Sequence, residues 1–241
     1  GNRFPWVNVL ALRSACERGD FERVVLHHDA DVSSTAHGAS LRRMPRLELR
    51  RLDPAAIFSR TPVDPEALTR LHDRLEAPNA RANMIRAAIL AAEGGVYLDT
   101  DTITVGSMRP LLDTGAFCGQ ERVVFPATVM RSRSPWVKAR AVGLTTFRDL
   151  CRRLPQGWRV FRRGEGAFAL AVNNAVLGAA PGHPLIRGLL AAMLEVPEAR
   201  QTVRYALGTH LLQDRVAAYE GDDLVLHPPE VFYLLRPVVS Q

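Results

Sequence analysis

The stretch Glu93-Gly94-Gly95-Val96-Tyr97-Leu98-Asp99-Thr100-Asp101 decides how this chain is read. Val96, Tyr97 and Leu98 predict the end of a buried strand, since β-branched and aromatic side chains favour extension. Gly94 and Gly95 stop the preceding helix, because glycine takes the left-handed cap conformation without steric cost. Side chains two apart share one face of a strand, so Asp99 and Asp101 aim the same way for as long as strand geometry persists. Two carboxylates placed together repel unless a cation lies between or beside them, and a hard divalent ion carrying phosphate oxygens meets that need. The competing reading is a polar turn whose aspartates cap backbone N–H groups. The succession of helix, Gly-Gly, apolar strand and paired aspartates favours a site.

Outward from this block, the upstream segment predicts a helix with Asn79 as N-cap behind Pro78. Met84, Ile85, Ala88, Ile89 and Ala92 recur at helical spacing as its buried stripe, while Asn83 and Arg86, three apart, share a neighbouring face leading towards the aspartates. A helix followed by a parallel strand predicts a βαβ unit within an α/β sheet. Further upstream, Phe4-Pro5-Trp6 leads into an amphipathic helix from Val7 to Cys16, and Arg23 to His27 forms a short strand. Asp29 to Ser40 reads as a loop, Leu47, Leu49 and Leu52 as a half-exposed strand, and Glu66 to Leu75 as a helix behind a proline-rich turn.

Downstream, Thr102 to Val105 extends the strand, and Phe117 to Gly119 and Val123 to Met130 predict two more. Arg131 to Pro135 and Arg162 to Gly166 are basic loops either side of a helical segment ending near Leu154. Phe168 to Val172 is a strand ending at Asn173-Asn174. Helices follow at Pro184 to Leu194 and Thr209 to Tyr219, then a terminal strand and turn from Leu224 to Leu235. With no internal repeat and no linker, residues 1–241 are expected to form a single domain.

Composition narrows the classes. The chain is 47% hydrophobic and 23% charged, ordinary for a globular protein. Its net charge of +6 is nearly all arginine, Lys138 being the sole lysine, and the arginines occur as scattered pairs. Nucleic-acid proteins concentrate charge on one face or arm, so no nucleic acid is expected as partner. Cys16, Cys118 and Cys151 are odd in number and far apart, which gives neither a disulfide framework nor a zinc spacing and predicts a reducing, cytoplasmic setting. The longest apolar runs are too short to span a bilayer, so no transmembrane segment is expected.

The residues Arg81 to Asp101, "RANMIRAAILAAEGGVYLDTD", resemble the helix, Gly-Gly and Tyr-Leu-Asp-x-Asp block of the glycosyltransferase family with a DXD sugar-binding region. Members include fungal initiation mannosyltransferases, capsular-polysaccharide enzymes and, more distantly, the catalytic domains of large clostridial toxins. Weaker likeness continues through Ala171 to Ile186 and Gly208 to Gln213. The resemblance implies a GT-A-type α/β fold, with a mixed central sheet flanked by helices, that binds a UDP- or GDP-sugar donor with Mn²⁺ or Mg²⁺. Asp101 would bind the metal that neutralises the diphosphate. Asp99 would contact ribose or sugar hydroxyls, or the metal through water. Arg86 would hydrogen-bond the donor sugar or its phosphate, Tyr97 would lie under the donor site, and Asn173 and Asn174 would hold sugar hydroxyls. The implied reaction moves a hexose or N-acetylhexosamine with retention of configuration, which requires no dedicated base. The acceptor is a glycan, a small natural product or a protein.

Three departures from the family stand out. Asn83 occupies a position where relatives carry aspartate, the family's opening strand falls before Gly1, and the chain ends at Gln241 without the tail many relatives have. A third metal ligand would come from His210 or His227, against the reading of each as a solvated or core histidine. Two other classes compete. A haloacid-dehalogenase-type phosphatase also uses Asp-x-Asp after an apolar strand, but it needs a later lysine in a context that Lys138 lacks. A non-catalytic or donor-hydrolysing sugar-nucleotide-binding protein is the other.

Overall fold

The computed structural model describes residues 4–203 and 205–232, Ala127 by its backbone alone. Helix α1 (Trp6–Arg18) leads to strand β1 (Val24–His28). A 3₁₀ turn (Val32–Ser34) and helix α2 (Gly38–Arg42) then occupy the stretch expected to be loop, because Asp31 accepts from Ser33 N and nucleates a turn there. Strand β2 (Leu47–Arg51) pairs in parallel with β1. Helices α3 (Pro54–Phe58), α4 (Pro65–Arg74) and α5 (Pro78–Glu93) follow, each with proline in its first turn. Asp53 and Asp64 cap the first two by accepting from backbone N–H groups. Helix α5 starts two residues earlier than the sequence suggests. Ala77 is its N-cap and Pro78 its first residue, proline lacking the N–H that position would leave unsatisfied.

Strand β3 (Gly95–Leu98) comes next, then β4 (Ala116–Val123). Helices α6 (Ala127–Arg131), α7 (Pro135–Arg153) and α8 (Gly157–Gly164) stand between β4 and β5 (Ala169–Ala179). The chain continues through α9 (Pro184–Glu195), α10 (Glu198–Gln201), α11 (Thr209–Ala217), β6 (Leu224–His227) and α12 (Pro229–Phe232). Strands β3, β5, β4 and β6 form a mixed sheet in that order, antiparallel at the first two pairings and parallel at β4–β6. Helix α5 therefore does not open a βαβ unit onto β3. That strand sits at the sheet edge against the oppositely running β5.

Four local expectations are corrected. Thr102 to Val105 adds no strand, because Thr102 N returns to Asp99 O at 2.9 Å and Thr104 N is taken by Ser14 Oγ of α1 at 2.9 Å. Only Val123 of the run Val123 to Met130 belongs to a strand, since Pro126 breaks the ladder and caps α6. Arg162 to Gly166 is the end of α8 and a 3₁₀ turn (Glu165–Ala167) rather than a loop. Val231 lies in α12, and the expected turn beyond Phe232 lies outside the described residues.

The main core packs α5, α9 and α11 on the sheet, with Met84, Leu90, Leu177, Ile186, Leu190 and Met193 fully buried. Val9, Leu12, Leu26 and Leu41 form a smaller core under β1 and β2. Phe161, Phe168, Cys151 and Ala141 form a third, which holds α7 and α8 together. No helix among the described residues is long and apolar enough to cross a membrane.

Candidate functional site

Strands β3, β4 and β6 run in one direction; β3 and β6 end level with a discontinuity in β5, past which β4 continues to Val123. Cys118 pairs with Leu177, but the next β4 residue, Gly119, pairs with Asn173, so β5 carries extra residues there. Asn173 stabilises this bulge by accepting from Ala175 N at 2.7 Å. Strand β5 thus passes through Asn173-Asn174 instead of ending at them. The carboxyl ends of strands are where open α/β sheets leave a crevice for ligands.

Asp99 is delivered to this end by β3, its N–H donating to Ala175 O at 2.9 Å. What makes this possible is the glycine pair. Gly94 N closes α5 on Leu90 O, and Gly94 and Gly95 take φ of 68° and 95° to reverse the chain into β3. A side chain on Gly94 would also meet Pro181 at 2.6 Å.

The strand ends at Leu98, so the two aspartates do not share a strand face. They diverge across the turn. Asp99 points inward, where its Oδ1 accepts from Arg86 Nη2 at 2.9 Å and from the Tyr97 hydroxyl at 2.8 Å. Asp101 is exposed and makes no hydrogen bond or ion pair among the described residues. Neither carboxylate caps a backbone N–H, so the turn-capping alternative is not realised here. It is realised at a second Asp-x-Asp that sequence reasoning passed over, Asp29-Ala30-Asp31. There Asp29 accepts from Ala30 N at 2.7 Å and Asp31 from Ser33 N at 2.9 Å.

Arg86, on α5, is only 8% exposed and lies behind this turn. Its Nη1 donates to Asn174 O at 2.6 Å, its Nη2 to Tyr97 OH at 3.1 Å as well as to Asp99, and its Cζ lies 4.1 Å from the Tyr97 ring centroid. Its Nε is buried without a partner. Asn174 Nδ2 reaches Asn83 Oδ1 at 3.1 Å, and Thr209 at the start of α11 comes within 3.5 Å of Asn174 Oδ1. One connected network therefore joins Asn83, Arg86, Tyr97, Asp99 and Asn174. Arg86, Tyr97 and Asp99 also line a cleft of about 1400 Å³ bounded by α5, β3 and β1.

Burial pushes the Asp99 carboxyl above its usual range. Arg86 and the Tyr97 hydroxyl pull it back, and the neighbouring Asp101 charge adds to the rise. Burial likewise raises the Tyr97 phenol to about 12, so it stays a hydrogen-bond donor at any working pH.

Neither His210 nor His227 contacts either aspartate among the described residues. His210 follows Thr209 on α11 with its ring 5.5 Å from that of Tyr205. His227 ends β6, three strands from β3 or about 14 Å at ordinary strand spacing, and packs against Phe117 and Phe232. Burial lowers both imidazoles, keeping them neutral. Among the described residues no three His, Cys, Asp or Glu side chains gather as a metal cluster.

The two aspartates nonetheless fit a hard cation held partly by substrate. Asp101 is unengaged, Asp99 keeps Oδ2 free, and Mg²⁺-like ions are commonly held by one or two carboxylates plus phosphate oxygens. One residue had no place in the sequence reading. Glu121 on β4 is hydrogen-bonded to Asn173, and burial raises its carboxyl. Its signal was an acid inside an otherwise paired strand core, Ala116 to Val123.

Comparison with known proteins accords with this arrangement. A family model described as "glycosyltransferase sugar-binding region containing DXD motif" matches residues 12–118, which include Asn83, Arg86, Tyr97, Asp99 and Asp101. Among solved structures, "PaToxG Glycosyltransferase" is similar at a TM-score of 0.54 and 12% identity, over 90% of this chain. The chain spans 65% of that protein's length. No curated protein matches by sequence. Residues 12–118 are therefore similar to the sugar-binding region of DXD-containing glycosyltransferases, and they are set in a mixed α/β fold similar to that of a solved glycosyltransferase.

Proposed function

We propose that this protein transfers a hexose or N-acetylhexosamine from a UDP- or GDP-sugar to an acceptor, with retention of configuration and with Mn²⁺ or Mg²⁺ at Asp101. The single observation that carries the reading is the division of labour between the aspartates. Asp99 is fixed from behind by Arg86 and Tyr97, while Asp101 is left exposed and unpartnered one turn further on. A capping turn has no use for a buried arginine. A donor site does, because it needs one carboxylate held still and one available.

Asp101, with Asp99 beside it, would hold the metal, which supplies Lewis-acid neutralisation of the charge that develops on the departing diphosphate. Asp99 keeps Oδ2 for ribose or sugar hydroxyls. Arg86 acts through Asp99: it donates to Asp99, the Tyr97 hydroxyl and Asn174 O, so its cation fixes the carboxylate's orientation and ionised state. Asn83 and Asn174 present amide groups at the same strand end, suited to sugar hydroxyls. Retention of configuration rests on the family resemblance alone. It requires only that the leaving oxygen and the acceptor share one face.

The test is nucleotide release from a panel of UDP- and GDP-sugars, with Mn²⁺, Mg²⁺ or EDTA, comparing the native chain with Asp101→Asn. Turnover of one donor that depends on metal and is lost in the variant is the expected result. Metal-independent turnover, or equal turnover by the variant, would overturn the reading.

A further inference from the structure

We propose that the helical segment between β4 and β5 docks on the surface of an anionic lipid bilayer. The sequence suggested scattered basicity, but the fold gathers it. Ten of the chain's 31 basic residues and only two of its 25 acidic ones fall within 127–167, so this stretch carries +8 and the remainder −2. The two acids, Asp149 and Glu165, cannot balance that excess. Arg131 is tied to Asp214 and Arg148 to Asp149. Arg133, Lys138, Arg153, Arg159, Arg162 and Arg163 have no ion-pair partner among the described residues.

Apolar exposure coincides with the charge. Trp136, in the first turn of α7, is 83% exposed, and Trp158 on α8 is 46% exposed. Met130, Val142, Leu150, Leu154 and Val160 are exposed as well. These side chains are not a failed core. Helix α7 turns Ala141, Leu144, Phe147 and Cys151 inward onto Phe161 and Phe168, so its packing requirement is already met. The surplus sits on the opposite face, where Lys138, Val142, Thr146 and Leu150 follow one another at i, i+4 spacing and Arg153 continues the row.

Interleaved cations and apolar groups with two exposed tryptophans match the bilayer interface. Indole rings settle at headgroup level, aliphatic side chains enter the acyl boundary, and arginines reach back to phosphates. The Arg159 guanidinium, 5.3 Å from the Trp158 ring, already pairs the two chemistries. The anionic lipid is favoured over a neutral one by the +8 charge. The segment is also anchored to the rest of the molecule through Arg131 and Asp214 on α11, whose first residue reaches Asn174. Docking there would set the candidate site at a fixed position relative to the membrane.

The experiment is vesicle co-sedimentation of the full chain carrying Trp6→Phe, so that indole emission reports only Trp136 and Trp158. Neutral phosphatidylcholine vesicles are compared with vesicles that are about one-third phosphatidylglycerol. The expected result is binding to the anionic vesicles alone, with a blue shift of emission. Arg153→Gln, Arg162→Gln and Arg163→Gln together weaken binding about 100-fold, roughly fivefold per charge. Trp136→Ala with Trp158→Ala removes the binding that persists at about 1 M salt. All five positions are exposed, and an unchanged thermal melt confirms that each variant is folded. Equal binding to neutral vesicles, an unshifted emission, or an undiminished triple variant would overturn the proposal. Tighter capture by single-stranded RNA than by the vesicles would overturn it too. The assay contains no sugar donor, so its outcome is independent of the transferase reading.

Discussion

Replacing Arg86 by methionine removes a cation while nearly conserving volume, and the structure says what is left behind. The Asp99 carboxylate keeps only the Tyr97 hydroxyl, and Asn174 O loses a donor at 2.6 Å. Breaking a buried ion pair from one side costs about 3–5 kcal/mol. The Asp99 side chain is 32% exposed, so water recovers part of that, and about 3 kcal/mol is expected. For a chain of this size the loss corresponds to about 6–12 °C in Tm. The pH dependence separates electrostatics from packing. The Asp99 carboxyl is already raised by burial, and without Arg86 it rises further. A carboxyl raised in the folded state contributes stability that is fully present below its unfolded value and is lost as pH rises through the folded value. The deficit of Arg86→Met is therefore largest near neutrality and shrinks towards about pH 4. Urea denaturation at both pH values measures it. A deficit under about 1 kcal/mol at neutral pH, or one equal at both pH values, would refute the argument. Combining the change with Asp99→Asn should recover part of the loss, since no unpaired charge then remains.

The other expectations are simpler. Gly94→Ala forces a positive φ on alanine and drives its Cβ into Pro181, so a loss of at least about 2 kcal/mol in denaturant is expected; an unchanged midpoint would mean the reversal into β3 is not fixed by that glycine. Asp101→Asn, at an exposed and unpartnered position, should leave stability within about 0.5 kcal/mol while abolishing metal-dependent donor turnover. If the melting temperature dropped markedly, the turn would hold a contact that the structure lacks. Glu121→Gln removes a carboxyl that burial disfavours in its charged form. The variant should gain stability over the native chain as pH rises above the ordinary carboxylate range, by at most about 1.4 kcal/mol per pH unit. A constant difference from acid to neutral pH would show that folding leaves the Glu121 carboxyl unshifted.

What was legible in the sequence was whatever short-range chemistry decides. The Gly-Gly stop, the apolar strand Val96 to Leu98 and the helical stripe through Met84 and Ala88 all depend on neighbours within one or two turns, and all formed where expected. The illegible parts depend on partners far along the chain. Nothing local says that β3 pairs antiparallel with β5, or that three extra residues between Asn173 and Leu177 bulge to bring Asn174 O onto Arg86. Nothing local says that Thr104 is tied to Ser14, which helps to keep the chain beyond Leu98 from continuing the strand.

That last failure changes the meaning of the site. An Asp-x-Asp on a continuing strand would place two equivalent carboxylates side by side, each repelling the other and each needing the cation. The turn separates them into unlike roles, one buried and paired with Arg86, one exposed and unpaired. The separation also explains why Arg86 must be arginine and must be buried. A carboxylate held at a fixed angle beside a second, free one needs a planar donor with several N–H groups. Arg86 meets this by gripping Asp99, the Tyr97 hydroxyl and a backbone carbonyl at once. A lysine could neutralise Asp99 but could not hold all three. Arg86→Lys should therefore keep most of the stability that Arg86→Met loses while still impairing donor turnover, and equal turnover by the lysine variant would show that charge alone suffices.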